Sequence, residues 1–233
     1  MRINYIFSVI ILFKFSLTFG AQIYEDDPLQ TTDKLVKFMD NDLYFVMQNE
    51  FKSSETNVEI KLYYECLCGD CIQFYKYQFA PVVAKLNQYL NIQTYPYGNA
   101  KTIVKNGQIE FECQHGPLEC YGNKLHACAI EVLPNITTAV MFNACMMSPE
   151  KENSSNDQIA DECAKILKLD SEPIKKCAKS PRGTQLLKEY GDESKKANFM
   201  FVPYILINGK LNSGENFMKD VCNAFTSPPP PCL

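Results

Sequence analysis

The clearest pattern of apolar and polar positions in the chain begins at Val58. From Val58 to Tyr64 every second residue is apolar, which is the period of a half-buried β-strand. After Cys71 the apolar residues recur at three- and four-residue steps up to Tyr89, which predicts a helix with one apolar stripe. Pro81 lies within that stripe, and because the pattern resumes at once we expect a kink there rather than an end. The stretch predicts a strand, a turn and a long helix in succession.

The remaining patterns continue this succession of extended and helical segments. Extended runs are predicted at residues 91–97, 107–114 and 199–208, and helices at 125–147, 158–190 and 214–225. The last extended run ends at Asn208-Gly209, a dipeptide typical of hairpin turns. Ser213 precedes the final helix and is the expected cap of its N-terminus.

Cys68 and Cys71 fall at the predicted junction of the first strand and its helix. The free N–H groups and the positive dipole end of a helix stabilise an anion, so we expect a nucleophilic Cys68 thiolate with a lowered pKa. Cys71 lies one helical turn further on, close enough to close a disulfide with Cys68. Half of a zinc site and an inert disulfide are the alternative interpretations. A Cys-x-x-Cys pair in this context is typical of thioredoxin-type redox sites, so we expect both residues to be catalytic without a cofactor.

The first residues of the chain read as a targeting segment. Arg2 is followed by an apolar run and by a small residue at Gly20, which predicts a secretory signal peptide over residues 1–20. The run is too short for a membrane span and is interrupted by Lys14, and no later stretch is long and apolar enough to span. Residues 21–57 form an N-terminal extension that could be a propeptide. A net charge of −4 without a basic run argues against nucleic acid as a partner.

All eleven cysteines lie downstream of the predicted signal peptide. In an oxidising compartment such a number is expected to form disulfides. Zinc is the competing interpretation, with a ligand set drawn from Cys66, Cys68, Cys71, Cys113, His115 and Cys120. Apart from the pair at the turn and Cys66, the remaining eight can form four structural disulfides. Cys163 and Cys177 could join the two halves of the predicted helical hairpin, and Cys232 could hold the proline-rich tail at residues 227–233.

Cys66 is therefore the odd thiol. Strand alternation places it on the same face as Tyr64 and Cys68. It is either a buried thiol that fills a small apolar site or a competitor of Cys71 for Cys68. We favour the first interpretation, because neighbouring positions on one strand face lie near the distance limit for a disulfide.

A second cysteine motif, CQHGPLECYGNKLHAC, begins at Cys113. It resembles the signature of the gamma-interferon-inducible lysosomal thiol reductases at Cys113, Gln114, His115, Gly116, Glu119, Cys120, Asn123 and Cys128. The stretch LYYECLCGDC is similar to the redox site of that family, with Cys68 and Cys71 at its two active cysteines, and PYGNA at residues 96–100 is similar as well. The resemblance covers nearly all the chain beyond about residue 56 and implies disulfide reduction at acidic pH and delivery to the lysosome.

We expect the signature to be mainly structural. For His115 the residues themselves favour a turn position whose ring bonds a neighbouring backbone group, with catalysis as the alternative. Asn135 and Asn153 each begin an N-glycosylation acceptor sequence and are expected to face outward.

Pattern and resemblance agree on the fold class, which is α/β: a thioredoxin-like fold with a helical, disulfide-stapled insertion between the two halves of the core. The first half is expected at residues 58–98, the insertion at 99–198 and the second half at 199–226. The Val202-Pro203 step resembles the cis-proline that precedes a strand in thioredoxin-like folds. We expect Val202 and Pro203 to bind substrate by letting nearby backbone groups pair with an extended peptide. The alternative is an ordinary proline at the start of a strand.

The expected activity is thiol–disulfide exchange on protein disulfides, in the lysosome or outside the cell. Cys68 would attack the substrate and Cys71 would resolve the mixed disulfide. The expected partners are disulfide-containing proteins and a small-thiol or protein reductant, without metal or nucleic acid. The alternative function is a secreted, disulfide-stapled binding module, either saposin-like or protein-binding, in which a Cys68–Cys71 disulfide is inert.

Overall fold

The computed structural model describes residues 57–147 and 155–233. The predicted signal peptide, nearly all of the predicted N-terminal extension and the acceptor residue Asn153 lie outside the described residues. Within the described ranges, no helix has the length and apolar character needed to cross a membrane.

The structure is built on a four-stranded mixed sheet in the order β2-β1-β5-β6. The strand bounds are β1 Val58–Tyr64, β2 Leu90–Pro96, β5 Tyr204–Ile207 and β6 Lys210–Asn212. Strand β1 runs parallel to β2 and antiparallel to β5. Its alternate residues Ile60, Leu62 and Tyr64 have no exposed surface, which confirms the predicted apolar face of this strand. Because β1 lies between two neighbours, its C-terminal end is held firmly where the Cys-x-x-Cys turn begins.

The chain leaves β1 through that turn and enters one irregular helix. The helical segments are α1 Gly69–Phe74, a π-helical turn Tyr75–Phe79, α2 Ala80–Leu86 and a 3₁₀ turn Asn87–Tyr89. The helix continues through Pro81 as predicted, and its irregularity takes the form of the π turn immediately before the proline. The N–H of Ala80 bonds the carbonyl of Tyr75, five residues back. The wider turn fits a proline, which lacks an N–H and crowds the preceding turn of a helix.

In the part of the chain that the structure describes, a two-stranded ribbon and five helices separate β2 from β5. Their bounds are β3 Lys101–Lys105, β4 Gln108–Glu112, α3 Pro117–Val132, α4 Ile136–Met146, α5 Asn156–Leu167, α6 Glu172–Lys179 and α7 Pro181–Ala197. The helix predicted over 125–147 is in fact two helices, because Leu133-Pro134 breaks it and Asn135 caps the second. The exposed Asn135 side chain accepts from the N–H of Thr138 at 2.8 Å. The helices bury their own apolar core around Leu125, Phe142 and Ile174.

Four disulfides use eight of the eleven cysteines: Cys113–Cys120, Cys128–Cys177, Cys145–Cys163 and Cys222–Cys232. The predicted attachment of Cys232 to the fold is confirmed. The predicted Cys163–Cys177 pair is wrong, because α5 is joined to α4 and α6 is joined to α3. A helical period gives the face on which a cysteine lies but not the neighbour that the face meets. The staples therefore tie both halves of the predicted hairpin to the preceding helices.

The second half of the core begins with the Val202-Pro203 peptide, which is cis as predicted. The paired strand β5 is shorter than the predicted run 199–208, and the hairpin at Asn208-Gly209 has positive φ at both residues. The last helix, α8, spans Phe217–Asn223 and begins after Asn216, so the predicted cap Ser213 is wrong. The reason is Gly214, whose φ of +80° is not helical and turns the chain before the helix starts.

A buried polar network connects the sheet to the helical region. His126 in α3 is 1 % exposed, and its Nδ1 lies 3.0 Å from the hydroxyl of Tyr64. The side chain of Asn143 donates to the carbonyl of His126 at 3.3 Å. Burial lowers the pKa of His126 to about 3. The folded chain therefore keeps this ring neutral at pH values where an unfolded histidine is charged.

This neutral histidine makes stability fall in acid. Between about pH 6.5 and pH 3 the unfolded state binds a proton at His126 that the folded state does not, so unfolding becomes easier as pH falls. We predict that His126→Gln, which can still accept from Tyr64 but cannot titrate, flattens this dependence. The loss of unfolding free energy from about pH 6.5 to pH 5 should be smaller by about 2 kcal/mol. Urea unfolding at the two pH values checks it, and equal losses in both proteins would contradict it.

Candidate active site

The two cysteines of the turn are free thiols in different environments. Cys68 is partly exposed and caps α1, and its sulfur accepts from the N–H of Cys71 at 3.4 Å. Cys71 is fully buried in the core below the turn. The strand therefore delivers Cys68 to solvent at the start of a helix, while the first helical turn carries Cys71 behind it.

These environments separate the acidities of the two thiols. The pKa of Cys68 falls to about 6, because the Cys71 thiol and the backbone N–H groups of Cys71 and Asp70 donate to its sulfur. Partial burial and the Asp70 carboxylate oppose this, but they do not cancel it. Burial raises the pKa of Cys71 far above that of an ordinary thiol, and its donation to Cys68 raises it further. At neutral pH the exposed thiol is an anion and the buried one is protonated.

The segment before β5 carries the other predicted binding residues. Val202 packs against the core cluster that contains Cys71, and Pro203 is half-buried. Residues 199–203 take no part in the strand pairs of the sheet. Met200 and Phe201 in this segment are exposed by 90 % and 54 %. Substrate binding by Val202 and Pro203 stays a prediction.

The signature residues lie around one end of α3. The Cys113–Cys120 disulfide ties the loop before α3 to its first turn, and Gly116 turns that loop with φ +85°. Asn123 accepts from the N–H of Cys66 at 3.0 Å, which fixes the chain just before Cys68. The Gln114 side chain accepts from that of Asn99 at 3.1 Å. The contacts made by these residues hold the loops that surround the Cys-x-x-Cys turn.

His115 differs from its predicted environment. Its ring does not bond a backbone group; Nδ1 lies 2.5 Å from Oε2 of Glu119 and 3.5 Å from Oε2 of Glu65. Glu119 is one helical turn into α3 and Glu65 directly follows β1, so the two elements bring both carboxylates to the ring. Burial lowers the pKa of His115, but Glu119 and Glu65 outweigh it, and the net direction is upward.

Sequence reasoning missed Glu65, which follows β1 and precedes the cysteine turn. Its side chain has no exposed surface, and Oε1 accepts from the N–H of Asn99 at 2.6 Å. A Cβ at Gly98 would lie 2.2 Å from Cγ of Glu65, so only glycine leaves room for this carboxyl group. Burial raises the pKa of Glu65 to about 7. The signal for this position lies in the PYGNA stretch, where Gly98 leaves room for the carboxyl group and Asn99 donates to it.

The alternative zinc interpretation loses two of its candidate ligands, because Cys113 and Cys120 are joined in a disulfide. Donor atoms of Glu65, His115 and Glu119 lie within 4.8 Å of one another. The hydrogen bond between His115 and Glu119 already occupies two of those atoms, so a shared proton accounts for the group and we assign no metal to it.

Cys66 is free and fully enclosed, as expected for the odd thiol. Its sulfur lies 3.6 Å from the carbonyl oxygen of Glu119, and a Cβ at Gly122 would approach it to 2.6 Å. Burial raises the pKa of Cys66 well above its ordinary value. These contacts fit the interpretation of Cys66 as a space-filling thiol against α3.

We therefore predict that Cys66→Ala leaves the alkylation rate of Cys68 within about threefold of the unmodified protein, since no charge near Cys68 is removed. The free energy of unfolding should fall by about 1–2 kcal/mol because a buried sulfur is lost. Mass-spectrometric peptide mapping after iodoacetamide treatment checks the first value and urea unfolding the second. A Cys66–Cys68 or Cys66–Cys71 disulfide in the peptide map would overturn the interpretation.

Comparisons with known proteins place this geometry in a family. Residues 59–167 match the family described as gamma interferon inducible lysosomal thiol reductase (GILT). GILT-like protein 1 of Drosophila melanogaster is 31% identical over 196 residues, covering 76% of this chain and 78% of that protein. The gamma-interferon-inducible lysosomal thiol reductase of Mus musculus is 32% identical over 173 residues, covering 72% of this chain and 68% of that protein.

Solved structures support the fold independently. DsbA of Chlamydia trachomatis superposes with a TM-score of 0.51 at 12% identity, covering 70% of this chain and 82% of that chain. This likeness confirms the predicted thioredoxin-like fold. The sequence relatives show that the chain belongs to the gamma-interferon-inducible lysosomal thiol reductase family of thiol–disulfide oxidoreductases.

Proposed function

We propose that this protein reduces disulfides of other proteins at acidic pH, in a lysosomal, endosomal or extracellular setting, with Cys68 and Cys71 as its catalytic residues. The observation that carries the proposal is the contrast between a partly exposed Cys68 of lowered pKa and a buried, protonated Cys71 one turn behind it. The setting rests on the names of the relatives and on the predicted signal peptide.

The reaction is two successive thiol–disulfide exchanges. The Cys68 thiolate attacks one sulfur of the substrate disulfide, forms a mixed disulfide and releases the other sulfur as a thiolate that takes up a proton. Cys71 then loses its proton and attacks the Cys68 sulfur, which releases the second substrate thiol and leaves a Cys68–Cys71 disulfide. Two electrons pass to the substrate, and a small-thiol or protein reductant must return them to the pair.

The lowered pKa of Cys68 makes the first step feasible in acid. At about pH 5 a thiol with a pKa near 8.5 is ionised in fewer than about one molecule in a thousand. With its pKa at about 6, Cys68 is a thiolate in about one molecule in ten at the same pH. Cys71 stays protonated, so it does not compete for substrate before the mixed disulfide forms.

Substrate binding is proposed for the segment that ends in Val202 and Pro203. Its backbone groups lie outside the sheet pairing and are available to an extended peptide. The exposed Met200 and Phe201 offer apolar contacts beside them. An unfolded chain, which presents both extended backbone and apolar side chains, would fit this surface better than a folded domain.

We predict that Cys68→Ser abolishes reduction of a denatured disulfide protein at about pH 5 and near neutrality, because the nucleophile is lost. Near-ultraviolet circular dichroism should be unchanged, since the partly exposed sulfur carries little packing. Cys66→Ala is the matched control and should keep activity within about threefold. Wild-type turnover in Cys68→Ser would refute the assignment, and no turnover by the unmodified protein at either pH would favour the binding-module alternative.

We predict that Cys71→Ser accumulates a mixed disulfide with substrate, because attack by Cys68 proceeds and resolution does not. A non-reducing gel of the variant incubated with substrate should show a heavier band that disappears with reductant. The double variant Cys68→Ser/Cys71→Ser should not form it. If Cys68 can be alkylated in Cys71→Ser but no band appears, the two-step mechanism is wrong.

A further inference from the structure

Glu65, His115 and Glu119, together called the proton cluster here, lie beside the redox pair but take no part in the exchange steps above. The ring of His115 bonds Glu119 at 2.5 Å and faces Glu65 at 3.5 Å. Neither carboxylate side chain has exposed surface, whereas the His115 side chain is 38% exposed. The cluster therefore connects buried acidic groups to solvent through one imidazole.

The surrounding loops are shaped to hold these groups. Gly98 leaves the space that the Glu65 side chain occupies, and the N–H of Asn99 fixes its Oε1. The N–H of His115 donates to Oε1 of Glu119 at 3.1 Å. The stretch before the redox turn, the PYGNA stretch and the signature motif thus all contribute to the cluster. The PYGNA stretch holds the Glu65 side chain, and the N–H of His115 holds that of Glu119.

One atom of the arrangement lacks a hydrogen bond. Oε2 of Glu65 is buried and has no hydrogen-bond partner among the described residues, and the His115 ring is the group that faces it. An unpaired carboxylate oxygen in such a place is costly when charged. A proton on Glu65 removes that charge, and this agrees with a pKa of about 7.

The groups that face the cluster determine the sign of its effect on Cys68. The Glu65 carboxyl group accepts from the Asn99 N–H and interacts electrostatically with Glu119, His115, Cys68 and Cys71. His115 interacts electrostatically with Glu119, Glu65 and Cys68. A Glu65 carboxylate opposes a Cys68 thiolate, whereas a His115 cation favours it. As pH falls, Glu65 loses its charge with a pKa of about 7 and His115, whose pKa is raised, takes up a proton, so both changes favour the thiolate.

We propose that the proton cluster is a positioning and charge-setting site for the nucleophile, which couples proton uptake at Glu65 and His115 to the Cys68 thiolate. Acidification then supports the nucleophile electrostatically at the pH where ordinary thiols are almost fully protonated. The proposal deepens the proposed function and rests on it only for the physiological meaning of acidic pH. The coupling itself is a property of the reduced protein without substrate.

The coupling can be measured because only one of the two histidine rings titrates in the relevant pH range. The chain has two histidines, and His126 has a pKa of about 3, so the ring that titrates above about pH 4.5 in untagged protein is His115. NMR titration should give a His115 pKa that is lower in Cys68→Ser than in the reduced unmodified protein. We expect its proton affinity to fall by at least about threefold when the thiolate is absent.

Thermodynamic linkage requires that a proton on His115 favours the Cys68 thiolate by the same factor by which the thiolate favours that proton. His115→Asn, which removes the cation but keeps a polar side chain, should lower the Cys68 alkylation rate at about pH 5 by the same factor of at least about threefold. Above about pH 8.5, where Cys68 is fully ionised, the two rates should be equal. Glu65→Gln, which keeps the shape and the acceptor for Asn99, should lower the proton affinity of His115. Glu110→Gln, an exposed carboxyl change on β4, is the matched control and should alter neither quantity.

The outcomes separate this proposal from the proposed function. A His115 pKa that is the same in the reduced protein and in Cys68→Ser, with an unchanged alkylation profile in His115→Asn, overturns the coupling even if reductase activity is intact. If the coupling is observed but the unmodified protein reduces no disulfide, the proposed function is wrong and the proposal for the proton cluster stands. A uniform loss of alkylation at every pH in His115→Asn marks a merely structural role and also counts against the proposal.

Discussion

The reactivity of the site depends on the hydrogen bonds that the first turn of α1 donates to the sulfur of Cys68. The thiol of Cys71 and the N–H groups of Cys71 and Asp70 all donate to the sulfur of Cys68, and these hydrogen bonds lower its pKa. That geometry exists because β1 is buried between β2 and β5 and ends in a fixed place. The apolar stripe of the following helix then holds Cys71 in the core, so burial of the fold produces the contrast between the two thiols.

The helical insertion supports the same Cys-x-x-Cys turn through contacts that its first helix, α3, makes just before it. Its first helix brings Glu119 and Asn123 to the segment between β1 and Cys68, where Asn123 bonds the N–H of Cys66. Two disulfides, Cys128–Cys177 and Cys145–Cys163, join helices that also share the apolar core of this region. The contacts of Glu119 and Asn123, both in the signature motif, therefore hold the segment that precedes the redox turn.

Local features of the fold could be predicted from the sequence because they are set by neighbours in the chain. The alternation of β1, the position of Cys68 and Cys71 and the hairpin at Asn208-Gly209 all follow from short patterns. Cysteine counting also identified Cys66 as the unpaired thiol outside the redox turn. These features can be predicted without knowing which elements pack against each other.

The features that the sequence does not predict are those set by contacts between distant parts of the chain. The partners of Cys163 and Cys177 and the buried position of Glu65 beside the His115 ring depend on how distant elements pack. Ser213 was a plausible cap, but Gly214 lies against Phe74 and Ile205, and that tertiary contact moved the helix start. The cluster of Glu65, His115 and Glu119 is hard to predict for the same reason, because Glu65 lies far along the chain from the motif that carries His115 and Glu119.

The central claim is that Cys68 is a thiolate under conditions where an ordinary thiol is not. The ultraviolet absorbance of the thiolate, followed in the fully reduced protein as pH is raised, tests it directly, because Cys66 and Cys71 stay protonated over the range concerned. The account predicts a single sulfur ionising with a midpoint near pH 6, absent from Cys68→Ser. A midpoint of about 8.5, the value of an unperturbed cysteine, would contradict it.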